Sequence, residues 1–536
     1  MGRWFSLLLG LAGCTDRTMA WGEPPESDPA APADRTEVAA NVNILGIGCQ
    51  DPAGAGPFLR KHSNSPPSLD RNWLWGGGVI AGDLLSDTLH DLVAPAEPYA
   101  KAYRGQDNEE FPEDSCLDPF DLDFGTGGSV VDYDDDGLLD LLITRFEKQS
   151  RLLRNKGDLT FEDVTERVGL VADGPALAST WADFDRDGDL DLFVGNYASV
   201  RDFQALEDSV AVGSRLFVNE GGVSFTDRTD LLPAEIAGAW VTAAAWVDLD
   251  LDQWPDLYVA SDLGDFTGNV LVMNQAGRLV GDDNLHGLDH AMPARGMAIG
   301  DLDGDGLPDF VIGERNHLRV LISQVGMTRW WNDESQELGV TLAGDQIDPW
   351  GIDLGDLDND GRLDIVASFG TTHPDDPDTG ADQPDGAWMR GPGGQFRDRA
   401  LALGLADRGV NRGVVLADLD NDGSLDVAKR DLEGPNLLYV SQCDPAAGWL
   451  RVQLSQLEGN HFAVGARVEV HTGDGVQTRT ITAGGIGFGS GGPPEAHFGI
   501  GTNAFVDRLV VTWPDGKTTT RTDVPAASIV RIDRIE

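Results

Sequence analysis

Asp-x-Asp-x-Asp-Gly-x-x-Asp is written five times in this chain of 536 residues. The copies place carboxylates at Asp132, Asp134, Asp136 and Asp140; at Asp183, Asp185, Asp187 and Asp191; at Asp301, Asp303, Asp305 and Asp309; at Asp356, Asp358, Asp360 and Asp364; and at Asp418, Asp420, Asp422 and Asp426. A sixth copy, Asp248, Asp250, Asp252 and Asp256, carries Gln253 where the others have glycine, and an upstream copy, Asp83 to Asp91, has Leu85 in place of the middle carboxylate. Four carboxylates within nine residues repel one another unless a cation joins them. Oxygen ligands at this spacing suit a hard divalent ion, calcium before others, with a backbone carbonyl at position 7 and water completing the shell. Glycine at position 6 supplies the positive φ that turns the chain around the ion. Asp and Gly also favour ordinary turns, but recurrence at fixed offsets along the whole chain asks for more than turn chemistry. The reading is about six Ca2+ sites, weaker at Asp248 and absent at Asp83, acting as structural staples that stabilise the fold by mass action. An EF-hand opens similarly, but position 12 is apolar here (Ile143, Val194, Ile312) and the flanks read as strands.

The elements that must position these loops follow from the spacing. The first Asp recurs at 83, 132, 183, 248, 301, 356 and 418. Periods of about 40–60 residues built from short strands indicate propeller blades rather than helical solenoids. Each unit has an apolar run (Gly296 to Gly300, Gly413 to Ala417), the acidic loop, a second run (Leu139 to Ile143, Leu190 to Val194) and a hairpin (Arg151 to Phe161, Arg215 to Phe225) with Asn and Gly at the turn. Four strands per unit are the content of a blade. The predicted fold is all-β: a seven-bladed β-propeller over 41–445, then a small β-rich C-terminal domain over 446–536.

These acidic loops between the two innermost strands resemble the FG-GAP/VCBS repeats of integrin-type propellers, which implies a calcium loop between the first and second strands of every blade. Beyond residue 446, Trp449 to Leu454, Ala463 to Val470, Gly484 to Phe488, His497 to Gly501 and Val506 to Gly516 resemble in order the ASPIC/UnbV domain, the C-terminal module of the cartilage acidic protein family. The weak first repeat, Gln253 and the lack of a following Cys-rich module depart from that pattern.

A net charge of -51, from 90 acidic and 39 basic residues, excludes ordinary nucleic-acid binding and direct docking on anionic lipid. Arg3 and the apolar run Trp4 to Ala12 read as an export signal ending at Leu11-Ala12-Gly13-Cys14, which resembles a bacterial lipobox. That resemblance implies a signal over 1–13, lipidation of Cys14, and membrane contact only through the anchor, at the outer membrane or cell surface. The Pro- and acid-rich stretch 14–40 is an extended tether. Export makes a disulfide feasible among Cys49, Cys116 and Cys443, with Cys49–Cys443 and Cys49–Cys116 equally open.

Six residues before each first Asp, at the opposite end of the innermost strand, stand Thr126, Leu177, Thr242, Arg295, Trp350 and Arg412. Two Arg and a Trp there suggest an axial anion or sugar site, set against ordinary packing and salt bridges. Trp181 and Trp246 read as core. Nine scattered His form no His-x-x-x-His pair, and the Gly-rich 484–492 lacks the Lys and helix of a phosphate loop. No catalytic constellation is visible. The leading expectation is an exported, lipid-anchored adhesion or ligand-binding module for an unknown protein or glycan. A propeller enzyme acting on extracellular polysaccharide and a structural surface-assembly protein are the alternatives: converging ionisable groups on the axis favour the enzyme, and a blocked axis favours the structural role.

Overall fold

The computed structural model describes Thr36–Gly46, Leu59–His62 and residues 76–535, apart from 96–99, 106–111, 118, 200–209, 263–267, 283–286, 289–292, 325–329, 343–346, 371–382, 442–443, 445 and 485. Cys14, the tether up to residue 35, Cys49 and Cys443 lie outside the described residues. Cys116 is a free, half-buried thiol, pushed up to about 12 by burial and by the neighbouring Asp114.

Seven antiparallel sheets, each with four blade strands, form the blades of a propeller. Blade 2 shows the pattern: Gly125–Val131 innermost, then Asp140–Arg145, Arg151–Asn155 and Phe161–Asp163. Its two inner strands are buried along their whole length because both faces are covered by neighbouring blades. This is why the apolar runs are continuous rather than alternating. The apolar cores lie between blades. Val131 and Leu142 of blade 2 pack with Trp181 and Leu192 of blade 3, and the pattern repeats around the ring until Val415 and Ala428 of blade 7 meet Val79 and Leu92 of blade 1.

Ring closure uses the N-terminal segment. Leu59–His62 pairs antiparallel with Leu437–Val440 and supplies the outer strand of blade 7. The strand Ala40–Gly46 goes elsewhere: it pairs with Ser528–Arg534 of the C-terminal domain. Among the described residues the first strand of the propeller is thus Leu59–His62, and Ala40–Gly46 belongs to a sheet of the C-terminal domain.

The C-terminal domain has two four-stranded sheets. One is ordered Ala40–Gly46, Ser528–Arg534, Gly448–Ser455, Glu495–Gly501; the other Gly475–Thr480, Arg467–Thr472, Phe505–Thr512, Thr518–Pro525. They enclose an apolar core around Val468, Phe498, Val511 and Trp513, and the Trp513 Nε1–H donates to Thr519 Oγ1 at 3.0 Å. Among the described residues no helix is long and apolar enough to cross a membrane.

Candidate metal centres

Each acidic loop joins the first and second strands of its blade, and all seven have one backbone shape. Position 4 is left-handed in every copy: φ is 57° at Ser86, 54° at Asp135, 61° at Arg186, 58° at Leu251, 83° at Gly304, 55° at Asn359 and 62° at Asn421. Position 6 is left-handed too, at Gly137, Gly188, Gly306, Gly361 and Gly423, and also at Gln253 (75°) and Thr88 (81°). The last two hold this conformation against their own Cβ. The first repeat has thus lost a carboxylate but not the turn.

The first Asp of each loop accepts backbone N–H groups from within the loop. Asp132 takes Asp136 N at 3.0 Å and Gly137 N at 2.8 Å, and Asp356 takes Asp360 N at 3.0 Å and Gly361 N at 2.7 Å. The ninth-position Asp has a role that the sequence did not disclose. Its Oδ2 accepts the N–H of position 2 and its Oδ1 accepts an N–H from the third strand: Asp140 holds Tyr133 N (3.3 Å) and Asn155 N (2.7 Å), Asp256 holds Leu249 N (3.1 Å) and Asn274 N (2.8 Å), and Asp309 holds Leu302 N (2.7 Å) and Ser323 N (2.8 Å). This Asp pins the loop to the blade whether or not an ion is bound. Asp91 does the same in blade 1 with Leu84 N and Gly105 N.

The carboxylates converge. Oxygens of Asp132, Asp134 and Asp136 lie within 4.8 Å of one another, as do those of Asp183, Asp185 and Asp191, of Asp248, Asp250 and Asp252, of Asp301, Asp303 and Asp309, and of Asp356, Asp358 and Asp360. These clusters can hold a metal ion. Their electrostatics ask for one. Burial, with neighbouring carboxylates adding to it, pushes Asp132, Asp183, Asp248 and Asp356 up to about 7 and Asp191 to about 9. One oxygen of each of Asp134, Asp183, Asp185 and Asp418 is buried without a hydrogen-bond partner. Buried carboxylate oxygens without a donor are costly, and a divalent cation is the group that satisfies several at once.

The opposite end of the innermost strands is closed. Thr126, Thr242, Arg295, Trp350 and Arg412 are all buried. Trp350 lies between two guanidiniums, Arg412 at 4.3 Å and Arg295 at 4.8 Å from its ring centroid. Arg295 pairs with Asp262, which also takes the Tyr197 hydroxyl, while Thr126 donates to Ala176 O at 2.6 Å and Thr242 to Ala294 O at 3.0 Å. Trp181 and Trp246 are buried between blades, Trp181 donating to Ser129 Oγ at 2.8 Å.

The Gly-rich segment near residues 484–492 explains the closure. It is a tongue of the C-terminal domain that runs into the propeller axis. Ala483–Gly484 pairs with Trp181 and Thr180, Phe488 packs edge-on against Trp350 with centroids 4.9 Å apart, and Gly491 exchanges hydrogen bonds with Val79 and Ala81 of blade 1. The tongue lies close on blade 2: a Cβ on Gly127 would stand 2.3 Å from the Cα of Gly489. The sequence signal was present in the run of glycines, but it reads as backbone packing rather than as a phosphate cradle.

The rest of the C-terminal domain covers the acidic loops. His461 N donates to Asp135 Oδ1 (3.0 Å), Gly501 N to Asn359 O (2.8 Å), His497 Nε2–H to Gly423 O (3.0 Å) and Arg451 Nη1 to Asp418 Oδ2 (3.1 Å).

Seven blades with an acidic loop at one shared corner, closed by a β-rich cap, define the class: a repeat propeller of the FG-GAP type. The FG-GAP-like repeat family matches residues 132–194, 248–312 and 301–367, and the ASPIC and UnbV family matches 456–536. The chain carries both modules and is homologous to cartilage acidic protein 1. It is 28% identical to the Xenopus tropicalis protein over 239 residues, 42% of this chain and 34% of that one, and 33% identical to the mouse protein over 120 residues, 22% of this chain and 18% of that one. The matches thus span about a third or less of these relatives. Similar solved structures include the BP39L lectin of Burkholderia pseudomallei (11% identity, 69% of this chain, 97% of that chain, TM-score 0.45) and an Agrocybe aegerita lectin specific for non-reducing terminal N-acetylglucosamine (16%, 68%, 89%, 0.40). BBS1N, solved in complex with ARL6DN, is also similar (10%, 73%, 98%, 0.41).

Proposed function

We propose that this chain is an exported, lipid-anchored recognition module of the extracellular type, without catalytic activity, in which the six acidic loops with a full carboxylate set each hold a structural Ca2+. The observation that carries the metal reading is the set of buried carboxylate oxygens left without a donor at Asp134, Asp183, Asp185 and Asp418. When bound, the ion supplies charge compensation. The chain's own part is to pre-shape the loop through the left-handed positions 4 and 6, and to brace its far end through the ninth-position Asp. Six loops retain the full carboxylate set, so the stoichiometry expected by calorimetric titration is six, and calcium without effect on heat or melting would sink the reading.

Ligand recognition falls to the end of the propeller opposite the loops, around the buried Arg295, Trp350 and Arg412. The ligand is a protein or a glycan. A glycan array and a pull-down with the calcium-loaded protein test this, with Arg295→Ala/Arg412→Ala as the comparison; undiminished binding by the double variant would remove that end from consideration. The tongue packed on Trp350 favours a second reading, a surface-assembly role in which the chain is a rigid part rather than a receptor. The enzyme reading is weakened by the same feature, because Arg295, Asp262 and Asp348 are engaged with one another beneath Phe488. Export and lipidation rest on Cys14 and its preceding apolar run. Cys14→Ser should release the protein from the membrane fraction.

A further inference from the structure

Blade 1 is the deficient blade. Its strands have 3, 4, 3 and 2 residues, against 7, 6, 5 and 3 in blade 2. Leu85 stands where the other loops have a carboxylate, and Thr88 holds a left-handed conformation without glycine. A further difference, from blades 2, 3 and 4, concerns the stitching between blades. In blades 2, 3 and 4 the third strand ends in an asparagine whose Nδ2 donates to the preceding blade: Asn155 to Leu84 O (2.8 Å), Asn219 to Tyr133 O (2.8 Å) and Asn274 to Phe184 O (2.7 Å). The equivalent position is Ser323 in blade 5, Arg390 in blade 6, Ser441 in blade 7 and Gly105 in blade 1, each bound through its backbone N–H to the ninth-position Asp of its own blade. Yet the boundary of blades 7 and 1 is where the ring must close between segments hundreds of residues apart. A seam held by such short strands is where a propeller opens first.

The C-terminal domain places a buried charged network on this seam. Glu495 Oε1 meets His90 Nε2 of blade 1 at 2.9 Å, and its Oε2 accepts from Gln453 Nε2 at 2.8 Å and pairs with Arg451 Nε at 3.4 Å. Arg451 in turn reaches Asp418 Oδ2 of the blade 7 loop at 3.1 Å and Thr88 O of the blade 1 loop at 3.4 Å. The four side chains His90, Glu495, Arg451 and Asp418 are buried, 8% exposed at most. They form one continuous bridge from blade 1 to blade 7. On the axis the tongue does the same for the backbone: Val79 N donates to Ser490 Oγ (3.3 Å), Gly491 N to Val79 O (3.2 Å) and Ala81 N to Gly491 O (2.9 Å), giving the innermost strand of blade 1 a further edge partner. A Cβ on Gly413 of blade 7 would lie 2.2 Å from the same Ser490 Oγ.

We propose that the C-terminal domain is the clasp of the propeller: it closes the seam between blades 7 and 1 and restrains the short-stranded blade 1 through Glu495, Arg451 and the Ser490–Gly491 tongue. This is independent of which ligand the module binds. The geometry is selective, because the charged bridge has two feet and both stand at the seam.

Hydrogen–deuterium exchange on the full chain in saturating calcium tests it. In Glu495→Ala the amides of Ile80–Gly82, Asp91–Ala94 and Leu437–Val440 should exchange about tenfold faster or more, while those of Asp256–Ser261 and Asp309–Glu314 hold their wild-type rates. Equal acceleration in all blades, or none, overturns the clasp. Should Glu495→Ala fail to fold, the wild type under mild denaturant gives the same decision. Val79, Ala81 and Gly491 should then open as one unit, before blades 4 and 5. A tongue that opens while Val79 and Ala81 stay protected overturns it.

Discussion

Asn219 Nδ2 donates to the carbonyl of Tyr133, 86 positions earlier and one blade away, and also to Leu190 O at 3.2 Å within its own blade. One buried amide thus satisfies two carbonyls on either side of a blade boundary. Asn155 and Asn274 repeat the arrangement. Ser441, at the same position in blade 7, has a buried hydroxyl without such a bond. Removing the amide strands two buried acceptors, which costs about 1–3 kcal/mol each less what water recovers. Asn219→Ala should therefore lose about 2–4 kcal/mol in denaturant unfolding. Ser441→Ala should lose under about 1 kcal/mol. Equal losses for the two would show that the stitch is incidental.

Gln253 occupies a left-handed position that five of its six counterparts fill with glycine. Such a conformation costs a non-glycine residue about 1–3 kcal/mol, partly offset by the extra unfolded-state entropy of glycine. Gln253→Gly should raise stability by about 1 kcal/mol. The side chain also rests against Gly516 of the C-terminal domain, where a Cβ would meet Gln253 Oε1 at 2.1 Å. A net loss in the same measurement would mean that this contact outweighs the strain.

Blade 1 keeps Asp83, Asp87 and Asp91 and the loop backbone, and lacks only the middle carboxylate and the glycine. Leu85→Asp with Thr88→Gly should then add one calcium to the calorimetric stoichiometry, since ligand number and turn geometry set the site. An unchanged stoichiometry would show that the clasp contacts on Thr88 and His90 leave the loop no room for an ion.

The blade count was legible because an acidic loop is a local motif: nine residues carry both their spacing and their chemistry, and Asp132 to Asp140 needs no distant partner to be recognised. Blade 1 was legible as weak for the same reason, through Leu85. The axial residues were not. Arg295, Trp350 and Arg412 were found at equivalent positions by counting, but their burial depends on Phe488, 138 residues beyond Trp350 and in another module. The asparagines at 155 and 219 were read as turn formers, because the carbonyls they reach belong to the preceding blade and leave no mark on the local pattern. Ala40–Gly46 finds its partner strand, Ser528–Arg534, at the far end of the chain, so its pairing leaves no mark on the local pattern.

Glu495 links these long-range contacts to pH. Burial alone would raise its carboxyl, but Arg451 and then His90 outweigh it and hold the group down at about 2, against an ordinary value of 4.5. A carboxylate whose folded value is depressed contributes stability that is fully present above the unfolded value and is lost as pH falls through the folded one. The bridge should therefore be intact above about pH 4.5 and weaken down to about pH 2, with roughly 3 kcal/mol at stake at one pKa unit per 1.36 kcal/mol. The loop carboxylates also take up protons in acid, so the informative quantity is the difference between wild type and Glu495→Gln across this window. That difference should be constant from pH 7 to about 5 and shrink toward zero below it, because the wild type alone loses a charge that the variant never had. A difference that stays constant down to pH 2 would mean that the Glu495 charge does not hold blade 1 to blade 7, and that the contact is one of shape alone.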